Sequence, residues 1–260
     1  MKSLAVGWRI QRRVVSALMM RELITRFGRE NIGFLWMMAE PLAFAILVGV
    51  LWTFLKGPTE YGMSVVAFVA SGYIPLVMFR STISRATKAF SANSSLLYHR
   101  QVTILDLITV RFLVELIGSM MAYLMVGILL MLVGLFPVPA NLGLLLFGFF
   151  LYGFFTFSVA LILAPLSEVS DTLEKFMPVT VYLMVPFSGT FNLTSWLAPN
   201  VREVLLYSPP VTAMELQRYG IWGDKITPYY DVPYAIGVSL VLMLIGLAAC
   251  HNVRKILIVE

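Results

Sequence analysis

Residues 21–42 read RELITRFGRENIGFLWMMAEPL, a stretch that joins a basic segment directly to a hydrophobic run beginning at Glu40-Pro41. A positively charged flank against the start of an apolar span sets which way a chain sits in a bilayer. The rest of the chain agrees with that reading: of 260 residues 59% are hydrophobic and only 13% charged. Soluble domains carry about 25% charged residues, so this chain lacks the polar surface to cover itself in water. It reads as a single all-α, polytopic membrane domain over residues 1–260.

Six apolar segments are predicted, at residues 32–55, 63–79, 107–136, 142–164, 176–191 and 232–250. Crossing a hydrocarbon core takes about 20 residues. The third segment is longer than needed and should tilt or project from the membrane. The fifth is interrupted by Pro178 and Pro186 and followed by Gly189, so a kinked or broken helix is expected there. Of the 19 Lys and Arg residues, all but Lys56, Arg202, Arg218 and Lys225 fall in the amino-terminal segment, the second and fourth connections with their margins, and the tail. The positive-inside rule then puts both termini in the cytoplasm, consistent with an even number of spans. The first thirty residues lack a short apolar core with a small-residue cleavage site, so the first span is expected to act as the insertion signal.

Residues 3–25 form a separate object. On a helical wheel Leu4, Trp8, Val15, Leu18 and Met19 gather on one arc, with Lys2, Arg9 and Arg13 opposite. Such a helix lies in the cytoplasmic interface with its basic side toward anionic membrane lipids. It serves either as a topology anchor or as a sill over which a lipid-linked substrate enters. A formal charge of +5 could suggest nucleic acid, but basic residues gathered beside spans are what topology requires. The lone Cys250 excludes an internal disulfide.

Several chemistries are absent. No glycine pair with P-loop spacing, such as Gly28/Gly33 or Gly143/Gly148, is followed by Lys, so no nucleotide cofactor is expected in this chain. The two histidines, His99 and His251, lie in different loops, and no metal-ligand spacing or catalytic triad can be assembled. There is no internal repeat of the kind found in secondary transporters with inverted halves. Gly-x-x-x-Gly is also absent, which leaves small residues such as Ala45 and Gly49 for close helix packing.

Ionisable residues in or near spans are the first candidates for a polar path. Glu40 opens the first span, and Arg111 and Glu115 stand four apart on the third, on one face and able to pair. All three can instead fix helix depth near the interface. Aromatics are dense, including Phe147, Phe149, Phe150, Tyr152, Phe154, Phe155 and Phe157 in the fourth span. Sugar rings stack on such faces, so Trp36, Trp52, Tyr73, Phe79, Tyr152 and Phe155 are candidates to line a glycan path. Packing and interfacial anchoring are the competing roles.

The second connection, STISRATKAFSANSSLLYHRQVTILD at residues 81–106, alternates helix-forming and polar stretches and suits docking of a motor subunit. Its candidates are Arg85, Lys88, Asn93, Tyr98, His99 and Arg100. In the fourth connection Glu168, Asp171 and Lys175 share one helical face at i, i+3 and i+7. The connection 188–231 begins too apolar for a free loop and too short to span, so short re-entrant or interfacial helices are predicted at the outer mouth. Phe191, Trp196, Tyr207, Glu215, Arg218 and Tyr219 are its outer-gate candidates.

Four stretches in order resemble the capsular-polysaccharide branch of the ABC-2 permease family: residues 21–42, 79–115, 165–191 and 208–223. The words Leu-Leu-Tyr-His-Arg-Gln-Val (96–102) and Met-Glu-Leu-Gln-Arg-Tyr-Gly (214–220) favour capsule export over O-antigen or teichoic acid export. The resemblance implies a homodimer of six-span subunits around a central channel, with two separate ATPase subunits that hold ATP and Mg. It implies a lipid-linked anionic polysaccharide as substrate, crossing the inner membrane, with periplasmic and outer-membrane export proteins beyond. An exporter of a small drug or lipid, a membrane-embedded transferase and a passive channel are the rival readings. The missing paired carboxylates and His-based site count against a transferase, and the missing polar filter counts against a channel.

Overall fold

A computed structural model describes residues 2–27, 32–57, 59–60, 62–89 and 102–257. Among them, helices account for nearly all the regular structure, with one two-residue hairpin between Thr59–Glu60 and Met63–Ser64.

The first helix, α1 (Lys2–Phe27), holds no proline and runs as one piece. It turns Val14, Val15, Leu18 and Met19 toward the core, while Trp8 points away with 73% of its surface exposed. Its main partner is α4, to which Gln11 donates a hydrogen bond at Asp106. The second helix, α2 (Ile32–Lys56), packs on α3 (Val65–Thr87). Gly49 is where they meet: a Cβ there would lie 2.2 Å from Val66 Cγ2, and Ala45 beside it is fully buried. Small residues at the crossing let the backbones approach.

The long helices α4 (Ile104–Leu132) and α5 (Leu142–Val169) begin at side-chain caps. Thr103 and Asp106 form a reciprocal capping box, with the Thr103 N–H donating to Asp106 at 2.9 Å and the Asp106 N–H to Thr103 Oγ1 at 3.2 Å. Asn141 accepts from the Leu144 N–H at 3.1 Å. The last helix, α9 (Val232–Leu257), lies along α5, whose other faces take α3 and α8.

Among the described residues four helices are long and apolar enough to cross a membrane: Val65–Thr87, Ile104–Leu132, Leu142–Val169 and, in α9, Val232–Val253. Within α2, Ala39–Leu55 is a shorter apolar stretch. The chain is therefore a multi-pass helical membrane protein. The fifth apolar segment is shorter and earlier than 176–191. Its helix, α6 (Asp171–Leu183), has 13 residues, about 20 Å at 1.5 Å each. Beyond it the chain turns through 3-10 segments at Pro186–Ser188 and Thr194–Trp196, with Gly189 at a φ of 71°.

One expectation is corrected. Glu168 does not share a face with Asp171 and Lys175, which stand four apart on α6, because the helix breaks at Ser170, whose φ of −149° and ψ of 112° are extended. A polar residue in that conformation separates two helices instead of continuing one. Glu168 ends α5, and Lys175 belongs to α6.

After a short helix, α7 (Pro199–Leu206), comes α8 (Pro209–Trp222), nearly all of it buried. Glycine permits that depth. A Cβ on Gly148 would sit 2.5 Å from the Gln217 nitrogen, and one on Gly220 would sit 2.4 Å from the Leu145 nitrogen.

Candidate functional site

At the end of the bundle where the basic connections gather, a cavity of about 880 Å³ opens between α1, α3, α4 and α6. Helix α3 brings Arg80 and Arg85, with Lys88 just past its end; α4 brings Arg111 and α6 brings Lys175. Glu22 of α1 is the one carboxylate on the wall among the described residues. The opposite wall, from α6, is apolar, with Met177, Pro178 and Val181. Helix α3 turns its cationic last two turns inward, and α6 faces them with this apolar stretch and, nearer its start, Lys175.

Two of the cations are committed to carboxylates. Arg80 Nη2 stands 3.0 Å from Glu40 Oε1, with both side chains a little over one-third exposed, and ties α3 to α2. Arg85 Nε stands 2.7 Å from Glu115 Oε1, where Glu115 is 2% exposed, and ties α3 to α4. The i, i+4 pairing of Arg111 with Glu115 is therefore replaced by a pairing across helices. Arg111 donates instead to the Arg85 carbonyl, and its Nε has no partner. Neighbours in sequence on one face lost to a neighbour on the next helix.

The aromatic candidates sit elsewhere. Tyr73 is buried and stacks on Phe44 at 3.8 Å. Phe79 and Phe155 are buried with ring centres 6.3 Å apart. Tyr152 is buried, and its carbonyl accepts from Thr156 at 2.9 Å. All four pack helices together and none is on the cavity wall. Trp52 is half-buried beside Phe68 and Trp196. The Trp36 side chain, and the docking candidates Asn93, Tyr98, His99 and Arg100, lie outside the described residues. Of the docking set, Arg85 is held by Glu115, while Lys88 is exposed.

The outer-gate candidates divide into two kinds. Arg218 is wholly buried and gathers three carbonyls: Gly189 at 2.6 Å, Asn192 at 3.0 Å, and Thr190. Its guanidinium lies 3.8 Å over the Phe68 ring. Glu215, one turn earlier, accepts the Thr194 N–H at 2.9 Å. Together they strap residues 189–194 onto α8. Phe191 lies near Phe44 and Trp196 near Phe68, at 6.5 and 4.9 Å between centres. By contrast Tyr207 is exposed and meets Tyr234 edge-on, and Tyr219 reaches Asp224 at 3.4 Å. That carboxylate raises the Tyr219 phenol above its ordinary value.

Sequence reasoning passed over Gln217, which donates to the Ser71 carbonyl at 2.8 Å and to Tyr123 at 2.9 Å. The signal was present, since three polar residues within Met214–Gly220 stand between apolar neighbours. It also counted Arg80 only toward topology.

Buried polar straps, apolar helices of membrane-crossing length and a cationic cavity at the basic end define a polytopic membrane protein. The ABC-2 type transporter family model matches residues 13–222, and the chain belongs to that family. It is 37% identical over 246 residues to the capsule polysaccharide export inner-membrane protein CtrC of Neisseria meningitidis serogroup B, covering 95% of this chain and 93% of that one. To the capsule polysaccharide export inner-membrane protein BexB of Haemophilus influenzae it is 35% identical with the same coverage. The polysialic acid transport protein KpsM of Escherichia coli is 26% identical over 242 residues, 93% of this chain and 94% of KpsM.

Proposed function

We propose that this chain is the membrane permease subunit of an ATP-driven exporter that moves lipid-linked capsular polysaccharide from the cytoplasm across the inner membrane. The observation that carries this reading is similarity to capsule export inner-membrane proteins along 95% of the chain. The cationic cavity at the basic end supports it, because a polyanion needs counter-charge where it enters. The chain itself is not an enzyme; ATP and Mg are held by two separate ATPase subunits beneath a homodimer. Each copy contributes six passes with both termini cytoplasmic, α6 and the turns after it making the fifth. Helices α7 and α8 re-enter from the outer side, and α1 rests on the cytoplasmic interface.

In this mechanism the ATPases act on residues 81–106. Helix α3 is the lever: its last turns carry Arg80 and Arg85 of the cavity's cations, and Glu40–Arg80 and Arg85–Glu115 bind it to α2 and α4. Movement at its basic end is thereby passed to both neighbours. Deleting the gene in its host tests the reading. Lipid-linked polymer should accumulate inside the cell and disappear from the surface, and normal surface polymer would end the proposal.

A further inference from the structure

We propose that Gln217 is a positioning residue for export: its amide takes the carbonyl that Pro75 leaves free in α3, and so couples that helix to α8. The functional half of this rests on the exporter reading; the joint itself rests on hydrogen-bond geometry.

Pro75 lies inside α3. A proline has no N–H, so the carbonyl four residues earlier loses its helical donor. That carbonyl belongs to Ser71, which is 1% exposed. A buried carbonyl without a donor is costly, and a proline inside a membrane helix is tolerated where a neighbour supplies one. Gln217 Nε2 donates to the Ser71 carbonyl at 2.8 Å from α8, and to the Tyr123 hydroxyl of α4 at 2.9 Å. A carbonyl only accepts, so the NH2 side of the amide must face it. One amide thereby joins three helices at the rung that α3 cannot close by itself.

The device occurs a second time. Pro165 frees the carbonyl of Leu161 in α5, and Cys250 of α9 donates its thiol there at 3.5 Å. A thiol is a weak donor, so the amide on α3 is the firmer hold.

The link to α3 is made by side chains. Helix α8 packs chiefly on α5, where Gly148 admits its backbone. It reaches α3 with two adjacent long residues: Gln217 at Ser71, and Arg218 over the Phe68 ring at 3.8 Å. Gly72 completes the fit, since a Cβ there would stand 2.5 Å from the Thr190 carbonyl oxygen. All these contacts fall on the part of α3 before Pro75. The part after it carries Arg80 and Arg85, fastened to α2 and α4. Pro75 therefore divides α3 into a portion held by α8 and a portion held at the cationic cavity. Displacement of the basic end flexes the helix where its own hydrogen bonding is interrupted, and Gln217 carries the change to α8.

The test compares Gln217→Met, Pro75→Ala and the two together. Methionine keeps the volume of glutamine without its donor, and alanine at 75 returns an N–H to the Ser71 carbonyl. Thermal unfolding of the full chain in detergent should show Gln217→Met losing stability and the same change costing much less in the Pro75→Ala background. In proteoliposomes with the ATPase subunits, polymer exported per ATP hydrolysed should fall roughly tenfold in Gln217→Met, the bias that one buried hydrogen bond gives to a two-state equilibrium. It should stay low in the double variant, whose α3 is satisfied but unlinked to α8. If Gln217→Met fails to accumulate, its accumulation in the Pro75→Ala background is the same rescue. Additive losses of stability, or absence from both backgrounds while Pro75→Ala alone accumulates, would overturn the joint. Export at the wild-type ratio in either Gln217 variant would overturn the positioning role. Normal surface polymer after gene deletion would sink the exporter reading while the stability cycle still decides the joint. Additive losses together with export abolished by deletion would do the reverse.

Discussion

Arg85 and Glu115 meet at 2.7 Å across the α3–α4 boundary, 30 residues apart in sequence, with the carboxylate buried and the guanidinium partly open. The asymmetry in burial gives the pair a direction. Removing the exposed partner takes a cation from a buried carboxylate, whereas removing the buried partner frees a cation that water can reach.

Arg85→Ala is therefore expected to destabilise by up to about 3–5 kcal/mol, the cost of breaking a buried ion pair from one side. Glu115→Gln should cost about 1 kcal/mol, because a neutral amide tolerates burial and can still hydrogen-bond. Thermal unfolding in detergent compares the two. Equal losses would mean that the pair is not the tie between α3 and α4.

Arg218→Lys keeps the charge but cannot hold three carbonyls at once. With charged hydrogen bonds contributing about 1.5–3 kcal/mol each, the loss should be about 2–4 kcal/mol. Proteolytic cleavage within residues 189–194 should appear with it. A variant of wild-type stability that fails only in transport would instead place Arg218 on the substrate path.

Gly148→Val should prevent the folded state from accumulating. Its first side-chain carbon would stand 2.5 Å from the Gln217 nitrogen and 2.7 Å from the Ala213 carbonyl oxygen. Overpacking normally costs about 1–3 kcal/mol, and backbone cannot move aside as a side chain does. Gly237→Val, where no atom lies within 4 Å, is the control expected to express normally.

Lys88→Ala combined with Arg100→Ala should lower polysaccharide export while ATP hydrolysis by the assembled exporter continues. Surface polymer and phosphate release measured on the same preparation would check this. Normal export with both residues replaced would remove residues 81–106 as the docking surface. Arg85 is a poor choice for this test, since its loss would also disturb α4.

Hydropathy reached most of the helical frame without any coordinates. The segments expected at 107–136, 142–164 and 232–250 correspond to Ile104–Leu132, Leu142–Val169 and Val232–Leu257. Transfer from water to hydrocarbon depends on the local run of apolar residues, and that is a property of the chain read in order. Proline and glycine likewise forecast the break after α6, because their backbone limits are intrinsic.

Partners across helices were not legible in the same way. Arg111 and Glu115 satisfied every local rule for a pair, and Arg85 took the carboxylate because α3 lies against α4 there. Phe79, Tyr152 and Phe155 had the composition of a glycan path, and the structure buries all three, with Phe79 against Phe155. The sequence alone determined an apolar, multi-pass chain with its positive charge gathered at certain connections. Only the tertiary structure decided which of those charges are spent on neighbours and which are left facing the cavity, since ion pairs and packing form between surfaces that meet in space and not along the chain.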